Sequence, residues 1–345
     1  MLTVYNISQS TGWNEIVKSF LDYDVYYLSN YVKPFMVHGD GEPLLFYYSD
    51  GNCRGINVVM KRDIACDVRF RDKVEPGKIF DFATPYGYGG WLIEGDETDS
   101  LFSEYENWCR ENNIVSEFVR FHPVLGNHAK VKGYDVVALG ETVAMDLSSK
   151  EVIWNNLTSQ NRNKLRKALK NGIEIHSGYS PELFNTFKVI YNFTMDRDNA
   201  VDYYYFEDKF YDCVYEELKD YATLYYATFN DAEIVAIALM IYANGKMHYH
   251  LSGSKREFMR FAPTNPLLVE AAEWGCIHGM HTLHLGGGFG SQNDSLLEFK
   301  KSFYRGDLCR YHIGKKIFSE KEYRRLVALR GDTIENKGFF PEYRG

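Results

Sequence analysis

The sequence predicts an α/β protein of two halves, each a mixed and mostly antiparallel sheet flanked by helices. Three observations predict it. One order of elements (three strands, a loop, a helix, a strand) is written twice along the chain. At 345 residues the length exceeds the ~100–200 residues usual for one domain. Aromatic content reaches 16%, with 27 Tyr and 23 Phe, and such residues favour pleated, half-buried surfaces.

The first copy begins at 43–64, which alternates about Asp50-Gly51-Asn52, the turn chemistry of a β-hairpin. A third strand is expected in Lys78–Thr84. The glycine-rich turn Thr84–Gly90, an amphipathic helix near Asp99–Asn112 and a strand in Ser116–Pro123 follow. The second copy reads Ala222–Phe229, a turn at Asn230-Asp231, Glu233–Ala243, a turn at Asn244-Gly245 and Lys246–Gly253. It closes with a helix near Asn265–His278 and a strand in His281–Leu285. The two helices share a local look, Glu106-Asn-Trp-Cys109 against Glu273-Trp-Gly-Cys276, so a duplication is expected.

Between the copies the pattern turns helical. Ser148 and Glu151 fit a capping box, and the apolar positions Val152, Leu157, Leu165 and Leu169 predict one helix running to a stop at Gly172. A short strand Ile173–His176 and helices Pro181–Arg197 and Glu207–Lys219 complete the block. After the second copy come a helix Ser295–Phe303, a strand Cys309–Ile317 and a helix Ser319–Leu329. A domain boundary at residue 147 is expected, giving halves 1–147 and 148–345.

Bulk properties narrow the function. The first thirty residues show no basic segment followed by an apolar one, and no run reaches the ~18 apolar residues of a membrane span, so a soluble cytoplasmic protein is expected. Six cysteines stand without any C-x-x-C spacing, against a zinc knuckle or redox pair. A net charge of -8 disfavours non-specific nucleic-acid binding, although a local basic patch can still hold phosphate.

Several residues carry candidate chemistry. Gly286-Gly-Gly-Phe-Gly290 follows a strand, where glycines allow backbone N–H groups to approach a phosphate or acyl carbonyl, but no Lys-Ser/Thr follows to make a P-loop. Gly286, Gly287 and Gly288 are therefore expected at a co-substrate. Arg162, Lys164, Arg166, Lys167 and Lys170 form a basic cluster in which 162, 166 and 170 share one helix face. Arg162 and Arg166 are expected to hold phosphates of a lipid- or nucleotide-linked acceptor, of a tRNA, or of coenzyme A. Tyr86 and Tyr88 are expected to stack on a sugar or base. His278, His281 and His284 lie within seven residues, but they span a helix end, a loop and a strand with no carboxylate to complete a shell, so no metal is expected. His248 and His250 are two apart on one strand and are expected to share a face.

The second half resembles a GNAT acyltransferase domain in its order of elements. Asn161-Arg-Asn-Lys-Leu-Arg-Lys-Ala168 with Lys170-Asn-Gly172, the run from Asn265-Pro-Leu-Leu to Leu283-His-Leu-Gly-Gly-Gly288, and Glu298-Phe-Lys-Lys-Ser-Phe303 are similar to FemAB-type and BioF2-like tandem GNAT proteins. Thr84–Gly90 resembles a loop of their smaller relatives. The resemblance implies two tandem GNAT-like domains and an N-acyltransferase acting on an amino group of a cell-envelope sugar or peptide precursor. Lys300, in the Phe299-Lys300 motif, is implied as the group facing the developing oxyanion, with Phe299 beside substrate, Asn265 near the co-substrate and His250 as a proton relay. An acyl-CoA or other acyl thioester is the expected co-substrate. Transfer from an aminoacyl-tRNA is the alternative, disfavoured by the lack of a heptad arm. The segment Ser252–Thr264 carries one glycine where the family's coenzyme A loop carries two. From another class, a non-catalytic protein that binds a glycan or nucleotide sugar also fits.

Overall fold

The computed structural model describes residues 1–345 apart from Asp231, Ala232 and Lys337, and it resolves into two compact units. The first comprises Met1–Leu139 and Tyr311–Gly345; the second is the continuous stretch Gly140–Arg310.

The first unit begins with β1 (Leu2–Asn6), α1 (Ser10–Ser19) and α2 (Ser29–His38), which the sequence reading did not assign. The hairpin of β2 (Glu42–Ser49) and β3 (Arg54–Asp63) then forms as expected, with Ser49 opposite Arg54. Asp50 fixes its turn by accepting the N–H groups of Asn52 and Cys53. Next come β4 (Phe80–Ala83), the short β5 (Leu92–Glu94), α3 (Asp99–Glu111) and β6 (Ile114–Arg120). β4 pairs antiparallel with β3 and parallel with β6, so the loop and α3 make the crossover that parallel pairing requires. Tyr105 meets Trp91 and Phe46 edge to face in the core, and Phe82 packs tilted on Phe46.

β7 (Asp135–Asp146) leads into the second unit. The single helix expected up to Gly172 is two. α4 (Lys150–Asn156) starts under Ser149, whose hydroxyl accepts the Val152 N–H, so the cap lies one residue beyond the expected Ser148. Leu157 and Thr158 are extended, and Thr158 caps a new helix, α5 (Ser159–Lys170). A hydroxyl that serves the backbone as a cap reads, from periodicity alone, like any polar helix position.

β8 (Ile173–Gly178), α6 (Pro181–Arg197) and α7 (Asp208–Glu217) precede the meander of β9 (Ala222–Phe229), β10 (Glu233–Ala243) and β11 (Lys246–Ser254). Half of the expected Asn230-Asp231 turn, Asp231, lies outside the described residues. α8 (Thr264–Ile277) then crosses to β12 (Thr282–Gly287), which runs parallel to β11. This is the plan of β2, β3, β4, α3 and β6 written again, antiparallel pairs followed by one parallel crossover. The unit's strand order is β7-β12-β11-β10-β9-β8. α9 (Ser295–Lys301) follows β12.

The chain ends with β13 (Cys309–Ile317) and α10 (Glu320–Arg330). The sequence reading attached this segment to the second half, behind a boundary at 147. From Tyr311 onward it clusters with the first unit instead, while β7 from Gly140 onward belongs to the second. Strand pairing is the reason: Ile313–Ile317 lies antiparallel to β6, and β7 lies antiparallel to β12. Side chains add to the pairing, since Arg344 donates to the buried carboxylate of Asp81 and to Asp67, and Tyr343 donates to Asp81. No helix among the described residues is long and apolar enough to cross a membrane.

Candidate active site

The glycine loop is built by close approach. β12 ends at Gly287, and the backbone there runs so near β7 that a Cβ on Gly287 would lie 2.6 Å from the Glu141 carbonyl oxygen. A Cβ on Gly288 would meet the Gln292 carbonyl oxygen at 2.1 Å, and one on Gly140 would meet that of Ser291 at 2.3 Å. Gly286 is left-handed, at φ +77. Side chains at these positions would push the loop off its bed.

Asp294 joins this loop to α9. One carboxylate oxygen accepts the Leu297 N–H at 2.9 Å as the helix cap, and the other accepts the Phe289 N–H at 2.9 Å. The bond from Leu297 foremost holds the carboxyl below its ordinary range. Neither Asp294 nor Gly140 was singled out from the sequence. The cue was present at Asp294, an Asp three residues before Leu297 at a helix start.

α9 then carries Lys300 back under the loop, where Nζ donates to the Gly287 carbonyl at 2.6 Å. Lys300 is 8% exposed, and burial pushes its ammonium down to about 8, against a smaller upward pull from Asp294. Its neighbour differs. Lys301 pairs with Glu141 at 3.3 Å and Glu298 at 3.5 Å, at the surface. Two adjacent lysines of one motif thus have different chemistry: Lys300 offers further N–H donors from a poorly solvated place, and Lys301 is an ion-pair partner. Phe299 packs on the core of the unit, edge to face with Phe303 at 5.2 Å.

A buried polar node sits two residues further along. The Asn161 amide donates to the Ser302 carbonyl and hydroxyl, and Asn265 donates to Asn161 Oδ1 at 2.8 Å. Asn161, Asn265 and Ser302 therefore join the starts of α5 and α8 to the end of α9. Asn265, expected near a co-substrate, spends its amide inside this node and is 3% exposed.

The start of α8 has few backbone donors to give. The Asn265 N–H goes to the Ala262 carbonyl and the Leu267 N–H to that of Pro263, while Pro266 has none. Ala262 itself is left-handed, at φ 53, a conformation that normally calls for glycine. An alanine thus carries a left-handed turn in the segment that has one glycine, and of the first helical turn the Thr264 N–H is uncommitted to these bonds.

α5 presents Arg162, Lys164, Arg166, Lys167 and Lys170 with no carboxylate across its twelve residues. Arg162 turns inward and donates to the carbonyls of Trp154 and Leu157, closing the end of α4. Arg166 is exposed and lies 5.6 Å from the centroid of the half-exposed Trp154 ring. The helix face predicted as one cluster therefore splits into a structural arginine and an open cationic surface.

The histidines separate by role. The register shifts between Leu239 and Met240, opposite Leu251 and Tyr249, leaving His250 as a bulged residue of β11. Two-residue spacing predicted a common face with His248, and a bulge breaks that alternation between them. Burial foremost, and His248 beside it, push the His250 imidazole down to about 3, so it is neutral at physiological pH. His248 and the buried His284 meet edge to face on adjacent strands, and His278 stacks on Trp274 at 4.0 Å.

With this geometry in view, residues 158–301 match the family model described as Acetyltransferase (GNAT) domain. That stretch is a GNAT domain, set in a chain of FemX-like fold. The matched domain belongs to an acyl-transfer class. No curated protein matches the sequence. Among solved structures, FemX superposes with a TM-score of 0.68 at 14% identity, over 94% of this chain and 99% of that one. The C-terminal domain of a protein named as a lysylphosphatidylglycerol synthetase, from Agrobacterium fabrum, gives 0.55 at 15% identity, over 96% and 97%. A conserved protein of unknown function from Bacteroides thetaiotaomicron gives 0.58 at 9% identity, over 92% and 100%.

In the first unit, Arg120 braces the loop carrying Tyr86 and Tyr88 by donating to the carbonyls of Thr84, Pro85 and Gly87. Tyr86 stacks on Phe35 at 5.3 Å, and Tyr88 meets Tyr26, His122 and Tyr311. Both tyrosines are half-buried. Behind them lies a pair that the sequence did not reveal: His122 Nε2 stands 2.8 Å from Asp24 Oδ2, and both side chains are fully buried. Ninety-eight residues separate these two along the chain, so no local pattern could have joined them.

Proposed function

We propose that this chain transfers an aminoacyl group from an aminoacyl-tRNA to an amino group of a cell-envelope precursor, a peptide or sugar carried on a nucleotide or lipid. The observation that carries the choice of donor is the start of α8, where Pro263 and Pro266 lack an N–H and Asn265 spends its own on Ala262, which breaks the run of free N–H groups that cradles a diphosphate. A donor held through many spaced phosphates needs surface cations instead. α5 supplies them beside α8, and its exposed lysines and Arg166 suit a polyanion. The neighbour named for lysylphosphatidylglycerol synthesis is in keeping with an aminoacyl group.

In this reading the acceptor amine attacks the ester carbonyl directly, and the bond to the tRNA 3′ oxygen breaks as the amide forms. The proton lost by the amine goes to that leaving oxygen or to water. Lys300 holds the oxyanion with an N–H not engaged by Gly287. His250, neutral but weakly basic, serves as a hydrogen-bonding group near the strand rather than as the principal base.

The test offers the protein aminoacyl-tRNA or acyl-CoA together with a nucleotide-linked muropeptide bearing a free amine, and reads the product by mass spectrometry. Amide product from aminoacyl-tRNA alone is expected. The double substitution Arg166→Glu with Lys167→Glu should lower that turnover at least tenfold and flatten its salt dependence. Product from acyl-CoA but none from aminoacyl-tRNA would return the donor to a thioester.

A further inference from the structure

Phe289 stands out from the apolar residues of the second unit. It is 79% exposed, yet the backbone beneath it is fixed on both sides. Its N–H is held by Asp294, and its carbonyl accepts the Gln292 N–H at 3.1 Å. Gly288 before it has no room for a side chain, and Ser291 after it lies against Gly140. A large apolar side chain is thus presented to water from an ordered turn, at a cost in hydration that burial against a ligand would recover.

Its place along the chain limits what that ligand group is. Phe289 follows by two residues the Gly287 carbonyl that Lys300 holds, so their Cα atoms are at most about 7 Å apart. If the reacting carbonyl sits at Lys300, the group within reach of Phe289 is one that branches next to that carbonyl. The side chain of the transferred acyl group meets that condition; the nucleotides of the donor lie farther off, beyond the ribose.

We propose that Phe289 is a specificity residue that contacts the side chain of the transferred aminoacyl group and selects apolar over small ones. The inference rests on the aminoacyl-tRNA reading above. An apolar contact of this size discriminates on the order of ten- to hundredfold, and only between donors that differ at that side chain.

The experiment measures binding, so it does not depend on finding the acceptor. Adenosine analogues with glycyl, leucyl or phenylalanyl groups joined to the 3′ position through a stable amide are titrated by calorimetry, with 3′-amino-3′-deoxyadenosine as the unacylated probe. The wild-type chain should bind the leucyl and phenylalanyl analogues at least tenfold more tightly than the glycyl one. Phe289→Ala should bring all three within about twofold of one another, whereas Phe289→Tyr should keep the preference. Equal binding of the three analogues by wild type, or a preference that survives in Phe289→Ala, overturns the role of Phe289 while leaving the donor reading intact. Failure of wild type to bind any acylated analogue overturns the donor reading and the inference with it.

Discussion

At the scale of the residue, Lys300 gathers the most chemistry into one side chain. In the proposed reaction this buried ammonium, with one N–H spent on Gly287, serves as a fixed donor for the oxyanion, and it acts only while protonated. With its folded-state value near 8, kcat/KM is expected to fall as pH rises past about 8, through loss of that proton. Stability moves the other way. The ordinary lysine value is ~10.4. Between about 8 and that value the unfolded chain binds more protons than the folded one, so the contribution of Lys300 to stability rises with pH. Lys300→Met separates the two roles: it removes a poorly solvated charge, so Tm should hold or rise while turnover falls on the order of a hundredfold. A variant that loses Tm and keeps turnover would mark Lys300 as structural.

At the scale of the element, the loop from β12 to α9 depends on a single cap. Asp294→Ala deletes the bonds to Leu297 and Phe289 together, and loss of such a cap costs about 1 kcal/mol. The expected outcome is a small drop in Tm with a larger loss of turnover, because the carbonyl that positions Lys300 would no longer be fixed. Asp294→Asn, whose side-chain oxygen can still accept, should recover much of both. Thermal unfolding beside initial rates checks this, and equal small effects on both quantities would confine Asp294 to capping. The same scale explains the break between α4 and α5. Thr158 and Ser149 looked like polar positions of one long helix, and only their bonds to Asn161 and Val152 make them caps.

At the scale of the whole molecule, the units are not the halves that the sequence suggests. β7 pairs with β12, and β13 pairs with β6, so each unit takes a strand that sequence order assigns elsewhere. A fragment 140–310 should therefore unfold cooperatively by calorimetry. A fragment 148–345, cut at the boundary read from sequence, lacks β7 and carries β13 without its partner, and it should be soluble only poorly and melt without a sharp transition. Cooperative melting of 148–345 would show that β7 is dispensable.

The sequence by itself determined what is local. Strand-length runs between turns placed β9, β10 and β13 to the residue, and the helical run Pro181–Arg197 placed α6, because short elements are settled by neighbours a few positions away. The repeated order made the duplication legible, and the motifs pointed to Lys300 and the glycine loop. Tertiary structure decided the rest. Which of two adjacent lysines is buried, how the Gly287 carbonyl comes to Lys300, why Asn265 points into a node with Asn161, and how Asp24 finds His122 all depend on backbones brought together from far along the chain. Burial and hydrogen bonding across such distances leave no periodic trace, so the site's residue types could be read in advance but not its arrangement.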